Sequence, residues 1–90
     1  MKKKKETIAT ALKYDIDKDS APHLIAKGKG FTAEKIKNIA KENNVPIYKD
    51  EKLSKQLYNL SLGEEIPPEL YQVVVEVLLF IAKLDSKMKK

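Results

Sequence analysis

Residues 7–14 read Thr-Ile-Ala-Thr-Ala-Leu-Lys-Tyr, a β-branched and apolar run that stops at the turn-favouring Asp15, Asp17 and Asp19. This predicts a strand followed by a loop. Pro22-His23-Leu24-Ile25-Ala26-Lys27 predicts a second short strand, with Pro22 at its start, where a missing N–H costs least, and Gly28 and Gly30 breaking the pattern afterwards. The two strands are close enough to form a hairpin. With Thr32 as N-cap, Ala33, Ile36, Ile39, Ala40 and Asn43 recur at helical spacing, which predicts an amphipathic helix of about three turns. Asn43-Asn44 ends it, because Asn tolerates left-handed geometry. Val45-Pro46-Ile47-Tyr48 reads as a third strand, at an edge or bulged because of Pro46. Asp50 caps a second helix with Leu53, Leu57 and Leu60 inward. Ile66-Pro67-Pro68-Glu69 opens a last helix running to about Leu84. Leu70, Val73, Val74, Val77, Leu78, Ile81 and Leu84 share its apolar face, Gln72, Glu76 and Lys83 mark the opposite face, and Val75 and Leu79 fall beside the polar side.

The order strand, strand, helix, strand, helix, helix indicates an α/β (α+β) layer: a small mixed sheet of about three strands with three or more helices packed on it. Ninety residues hold one core only, because dividing so short a chain would leave neither part enough buried surface. The expected organisation is a basic tail at residues 1–5, a folded domain at 6–86 and a second basic tail at 87–90.

Charge changes the picture less than its sign suggests. The net charge is +5, but Lys2 to Lys5 and Lys87, Lys89 and Lys90 lie in the tails, and residues 6–86 set 11 lysines against all 13 acids. Arginine is absent, so the bidentate fork that reads guanine edges and clamps phosphate is missing. Lysine tails still attract polyanions without sequence preference, which keeps a basic-tailed nucleic-acid-associated protein as the alternative function; specific nucleic-acid recognition is not expected. No cysteine and a single histidine leave no basis for disulfides, Cys-ligated metals or a His-rich cluster, so no metal and no cofactor is expected. The basic start is followed by Glu6, Thr7 and Lys13 rather than an apolar stretch, and the apolar run at 73–82 is interrupted by Glu76. A cytoplasmic protein without membrane insertion is expected.

Little here suggests catalysis. His23 is the one candidate general base, and Ser20, three residues away, would point to the other face of an extended segment. Gly28-Lys29-Gly30 completes neither a P-loop nor a dinucleotide fingerprint; a strand-to-helix turn needing backbone freedom explains the glycines. Asp15, Asp17 and Asp19 alternate like the start of a calcium loop, but Ser20 stands where glycine is needed and Ala26 where the closing acid is needed. Tyr14, Tyr48, Tyr58 and Tyr71 lie on different elements with no basic patch between them, as half-buried aromatics at the edge of a core would. No catalytic residue is assigned.

Several stretches go further in combination: Ala11-Leu12-Lys13-Tyr14-Asp15, Ser20-Ala21-Pro22, Ala26-Lys27-Gly28, Glu42-Asn43-Asn44-Val45-Pro46-Ile47, Leu57-Tyr58, Glu65-Ile66-Pro67, Leu70-Tyr71 and Val74-Val75-Glu76-Val77-Leu78. In this order, over about 75 residues, the chain resembles the cytoplasmic domain of the FlhB family of flagellar export-gate proteins and their type III secretion counterparts. The family domain follows transmembrane helices and cleaves itself at an Asn-Pro-Thr-His turn. That turn would fall on Lys4, Lys5, Glu6 and Thr7, and no Asn-Pro occurs anywhere in the chain. The resemblance therefore implies a stand-alone, non-enzymatic interaction module that keeps the fold and lacks the membrane anchor and the cleavage switch. Flagellar or type III export proteins or export substrates are the implied partners. It also implies an apolar patch for short hydrophobic export signals, at Ala21, Pro22, Val75 and Leu78. The strand that pairs upstream of the turn in the family has no counterpart here, so Thr7, Ile8, Ala9, Thr10, Ala11 and Leu12 are the expected open edge for strand pairing. A monomer is expected rather than a homodimer.

Overall fold

The computed structural model describes residues 7–88, with side chains to residue 83. The tail expected at 1–5, residues 89 and 90 of the tail expected at 87–90, and the side chain of Leu84 lie outside the described residues. Strand β1 (Ile8–Lys13) pairs antiparallel with β2 (His23–Lys29) in a two-stranded sheet. Helix α1 (Phe31–Glu42), helix α2 (Glu51–Tyr58), a 3₁₀ turn (Pro68–Leu70) and helix α3 (Tyr71–Met88) follow. The mixed α+β architecture read from the sequence is the one observed.

The hairpin register shifts between Ala11 and Leu12, leaving Ile25 as the extra residue. Simple alternation would send Leu24 and Lys27, three apart, to opposite faces, and the bulge brings them to the same one. On that face Leu24 joins Ala21, Leu53, Leu57, Leu60, Ile66, Leu70 and Val74 in the core, with Leu12, Val73 and Val77 packed around them. Lys27 extends from the same face to the end of α2, where its ammonium donates to the carbonyls of Tyr58 (3.1 Å) and Leu60 (2.8 Å). The Tyr58 carbonyl is one of those that a helix C-terminus leaves unpaired, and the Leu60 carbonyl lies just beyond the helix end.

The other face is lined by small residues. Ala9 and Gly28 are register partners, and Ala9, Gly28 and Ala33 are all buried. A Cβ on Gly28 would lie 2.4 Å from Thr32 Cγ2, so α1 lies directly against the strand. Gly28 thus serves close approach rather than the backbone freedom expected of it. That freedom is used at Gly30, whose φ is 55°. Gly30 also begins α1, its carbonyl accepting from Glu34 N, so Thr32 sits within the first turn and is not the N-cap.

Asp50 caps α2 as expected, its carboxylate accepting from Leu53 N at 3.0 Å. Asn44, with φ 58°, terminates α1 in the left-handed region. The last helix is interrupted at its start, because Pro67 and Pro68 lead into the 3₁₀ turn before α3 begins at Tyr71.

The third strand expected at 45–48 is absent. Val45 N donates to Ala40 O at 2.8 Å, closing α1, and Pro46 has no N–H, so two successive ladder donors are lost. The stretch between α2 and the 3₁₀ turn takes that role instead. Glu65 bridges His23 antiparallel, and Leu24 N to Glu64 O (2.9 Å), Gly63 N to Leu24 O (2.7 Å) and Ile66 N to Pro22 O (2.9 Å) extend the pairing along the side of β2 away from β1.

Candidate functional site

Those backbone bonds bring together two segments far apart in the chain. One is the loop from Tyr14 into β2, tightened by its own carboxylates: Asp19 Oδ2 accepts from Asp15 N (2.8 Å) and Asp15 Oδ1 from Asp17 N (3.0 Å). The aspartates that resemble a calcium loop in sequence are turn-forming here. The other segment runs from Glu64 through Ile66 into α3. Ser20 Oγ adds a side-chain link by donating to Glu65 Oε2 at 3.2 Å.

Between them lies an open groove of about 150 Å³, lined by Tyr14, Ser20, Ala21, Pro22, Ile66, Tyr71, Val74, Val75 and Leu78. Ala21, Pro22, Ile66 and Val74 are buried and form its floor. Tyr14, Tyr71, Val75 and Leu78 form an apolar rim open to solvent, Val75 at 50% and Leu78 at 38% exposure. The volume suits a large aliphatic or aromatic side chain, not a folded partner. Water in a groove of this composition finds few polar partners, so covering it with apolar surface is favourable.

All four patch residues singled out in the sequence, Ala21, Pro22, Val75 and Leu78, line this one groove. Tyr14, Ser20, Ile66, Tyr71 and Val74 were not singled out. A signal for part of this set is present: Tyr71, Val74, Val75 and Leu78 stand at i, i+3, i+4 and i+7, one stripe of α3. The contribution of Ile66 has no such signal, because it depends on the pairing of 63–66 with β2.

The remaining candidates lie elsewhere. His23 Nδ1 is 3.8 Å from Asp19 Oδ2, while the Ser20 hydroxyl is directed to Glu65. Tyr58 packs under the ammonium groups of Lys27 and Lys29, at 5.0 and 4.8 Å from the ring centre. Tyr48 meets Phe80 edge to face at 5.4 Å. Of the expected edge residues, Ile8, Ala9, Thr10, Ala11 and Leu12 belong to β1, which has β2 on one side and no strand on the other among the described residues. Thr7 lies just before it and accepts Gly30 N through its carbonyl. Among the described residues no helix is long and apolar enough to cross a membrane.

Comparison with known proteins gives this arrangement a family context. The model of the FlhB HrpN YscU SpaS family matches residues 6–81. The uncharacterised protein YlqH of Bacillus subtilis is 44% identical over 81 residues, which span 90% of this chain and 87% of YlqH. The flagellar biosynthetic protein FlhB of Aquifex aeolicus is 41% identical over 82 residues, 90% of this chain and 23% of that protein. The crystal structure of the cytoplasmic domain of FlhB from Shewanella putrefaciens has a similar fold, with a TM-score of 0.88, 35% identity and coverage of 91% of this chain and 64% of that one. The chain thus spans less than a quarter of that full-length FlhB relative.

Proposed function

Because this chain belongs to the FlhB HrpN YscU SpaS family, we propose that it is a non-enzymatic interaction module of flagellar or type III protein export, acting in the cytoplasm. Its groove receives a short apolar segment of an export substrate or gate component. The observation that carries this reading is the convergence of Ala21 and Pro22 with Val75 and Leu78 on one groove whose rim is half exposed. An apolar rim held on rigid elements binds a partner side chain without first unfolding anything. The chain contains no Asn-Pro, so self-cleavage of the Asn-Pro-Thr-His type is not part of its role.

The reading is tested by titrating isotope-labelled protein with a short apolar peptide and following backbone amide shifts. Shifts centred on Tyr14, Ser20, Ala21 and the stretch 71–78 support it, and shifts confined to other elements overturn it.

The edge of β1 favours a second contact of the same module. With no strand beyond it among the described residues, its outward N–H and C=O groups offer a template for a strand from an export protein, or from a second copy, by β-augmentation.

A further inference from the structure

The groove is apolar, but its surroundings are acidic. The loop joining two of its lining residues, Tyr14 and Ser20, carries Asp15, Asp17 and Asp19, and the segment leading through Ile66 to Tyr71 carries Glu64, Glu65 and Glu69. Residues 13–23 and 64–71 together hold these six acids and two lysines, Lys13 and Lys18, a balance of −4, while the rest of the chain carries +9 of the overall +5. The two segments that supply the loop side of the groove are therefore negative, while the rest of the chain is positive. Among the described residues none of these six carboxylates is within ion-pair distance of a lysine ammonium, and Asp19 Oδ2 has His23 Nδ1 at 3.8 Å. Asp17, Glu64, Glu65 and Glu69 are exposed. The stretch of α3 between Tyr71 and Leu78 carries no lysine.

Resting on the reading that the groove takes an apolar segment, we infer that its occupant is a short apolar stretch flanked by lysine or arginine. The apolar side chain fills the groove, and the flanking cations lie over the carboxylates at either end. Such rim charges set partner choice and encounter rate more than the burial term does. They also exclude acidic flanks, because a glutamate beside these carboxylates meets like charge. The net charge of the whole molecule favours the opposite partner, so the sign of the preference separates a local field at the groove from a general one.

Three synthetic peptides sharing one apolar core, with lysine, serine or glutamate flanks, are titrated against the full chain by fluorescence anisotropy. At about 25 mM salt the screening length is roughly 20 Å, long enough for the rim charges to act together. The lysine-flanked peptide is expected to bind about fivefold or more tighter than the glutamate-flanked one, and the difference should fall below about twofold at 300 mM salt. The double substitution Asp17→Asn, Glu69→Gln removes two exposed carboxylates and should narrow the low-salt preference. Equal affinities, or a preference for glutamate flanks, overturn the inference while binding of the serine-flanked peptide at high salt keeps the apolar reading intact. If none of the three binds, the apolar reading and the inference fall together.

Discussion

The carbonyl of Pro22 accepts the backbone N–H of Ile66 at 2.9 Å, and both residues line the groove. One residue immediately precedes β2 and the other leads into α3, so this bond holds the two walls in register. Gly63 N to Leu24 O and Leu24 N to Glu64 O repeat the attachment one step further along. A groove fixed by backbone bonds keeps its shape when rim side chains are changed, and this makes rim substitutions informative.

Gly28→Ala should destabilise the domain. The new Cβ would lie 2.4 Å from Thr32 Cγ2 and 2.9 Å from Thr32 Cβ, with the Thr32 backbone carbon at 3.1 Å, so relief requires α1 to move off the sheet. The expected cost is about 1–3 kcal/mol, read as a lowered denaturation midpoint. Adding Thr32→Ser removes the methyl and should recover part of the loss; full recovery would show that the helix backbone is not held as close as described.

Lys27→Met should also destabilise the fold, by leaving the carbonyls of Tyr58 and Leu60 without their donor at the end of α2. A cost of about 1–3 kcal/mol is expected. Lys29 sits over the same Tyr58 ring but makes no such bonds, so Lys29→Met should change stability by no more than about 0.5 kcal/mol. Equal effects would mean that the ring contact, not the capping, stabilises this corner.

Where one local rule decides, the reading held: Asp50 with its free side-chain oxygen capped α2, and Asn44 took the left-handed φ that ends α1. It failed where a backbone group had a competing partner, as when Val45 N turned back to Ala40 O and the strand at 45–48 did not form. Long-range pairing left no local trace at all. Residues 63–66 contain the turn signal of Gly63 but no strand periodicity, so neither their attachment to β2 nor the place of Ile66 in the groove was legible. The family resemblance did single out Ala21, Pro22, Val75 and Leu78, and the stripe from Tyr71 to Leu78 was open to helical spacing alone.

Nucleic-acid binding should be weak and blind to sequence. Seven of the 18 lysines lie in residues 1–5 and 87–90, and arginine is absent, which leaves a phosphate-directed interaction that falls steeply with salt. Removing both tails should abolish it in a gel-shift or anisotropy titration. Sequence-selective binding at physiological salt by residues 6–86 would instead make the basic-tailed nucleic-acid reading the primary one.

The protein should remain a single 10.2 kDa chain through prolonged incubation at neutral pH, because no Asn-Pro bond is present to cleave. Intact mass spectrometry checks this directly. Two fragments separating near residues 4–7 would contradict it.

Two valines of nearly equal exposure provide the most direct test of the groove. Val75 is 50% exposed on its rim and Val45 is 53% exposed on the segment after α1, outside the groove. Aspartate at either position stays in contact with solvent, so both variants should fold with melting temperatures close to that of the parent. The measurement is the affinity of the serine-flanked apolar peptide for Val75→Asp, with Val45→Asp and the parent protein alongside. The account predicts that Val75→Asp weakens binding by about tenfold or more and that Val45→Asp leaves it unchanged. Parent-like affinity in a folded Val75→Asp variant would contradict it.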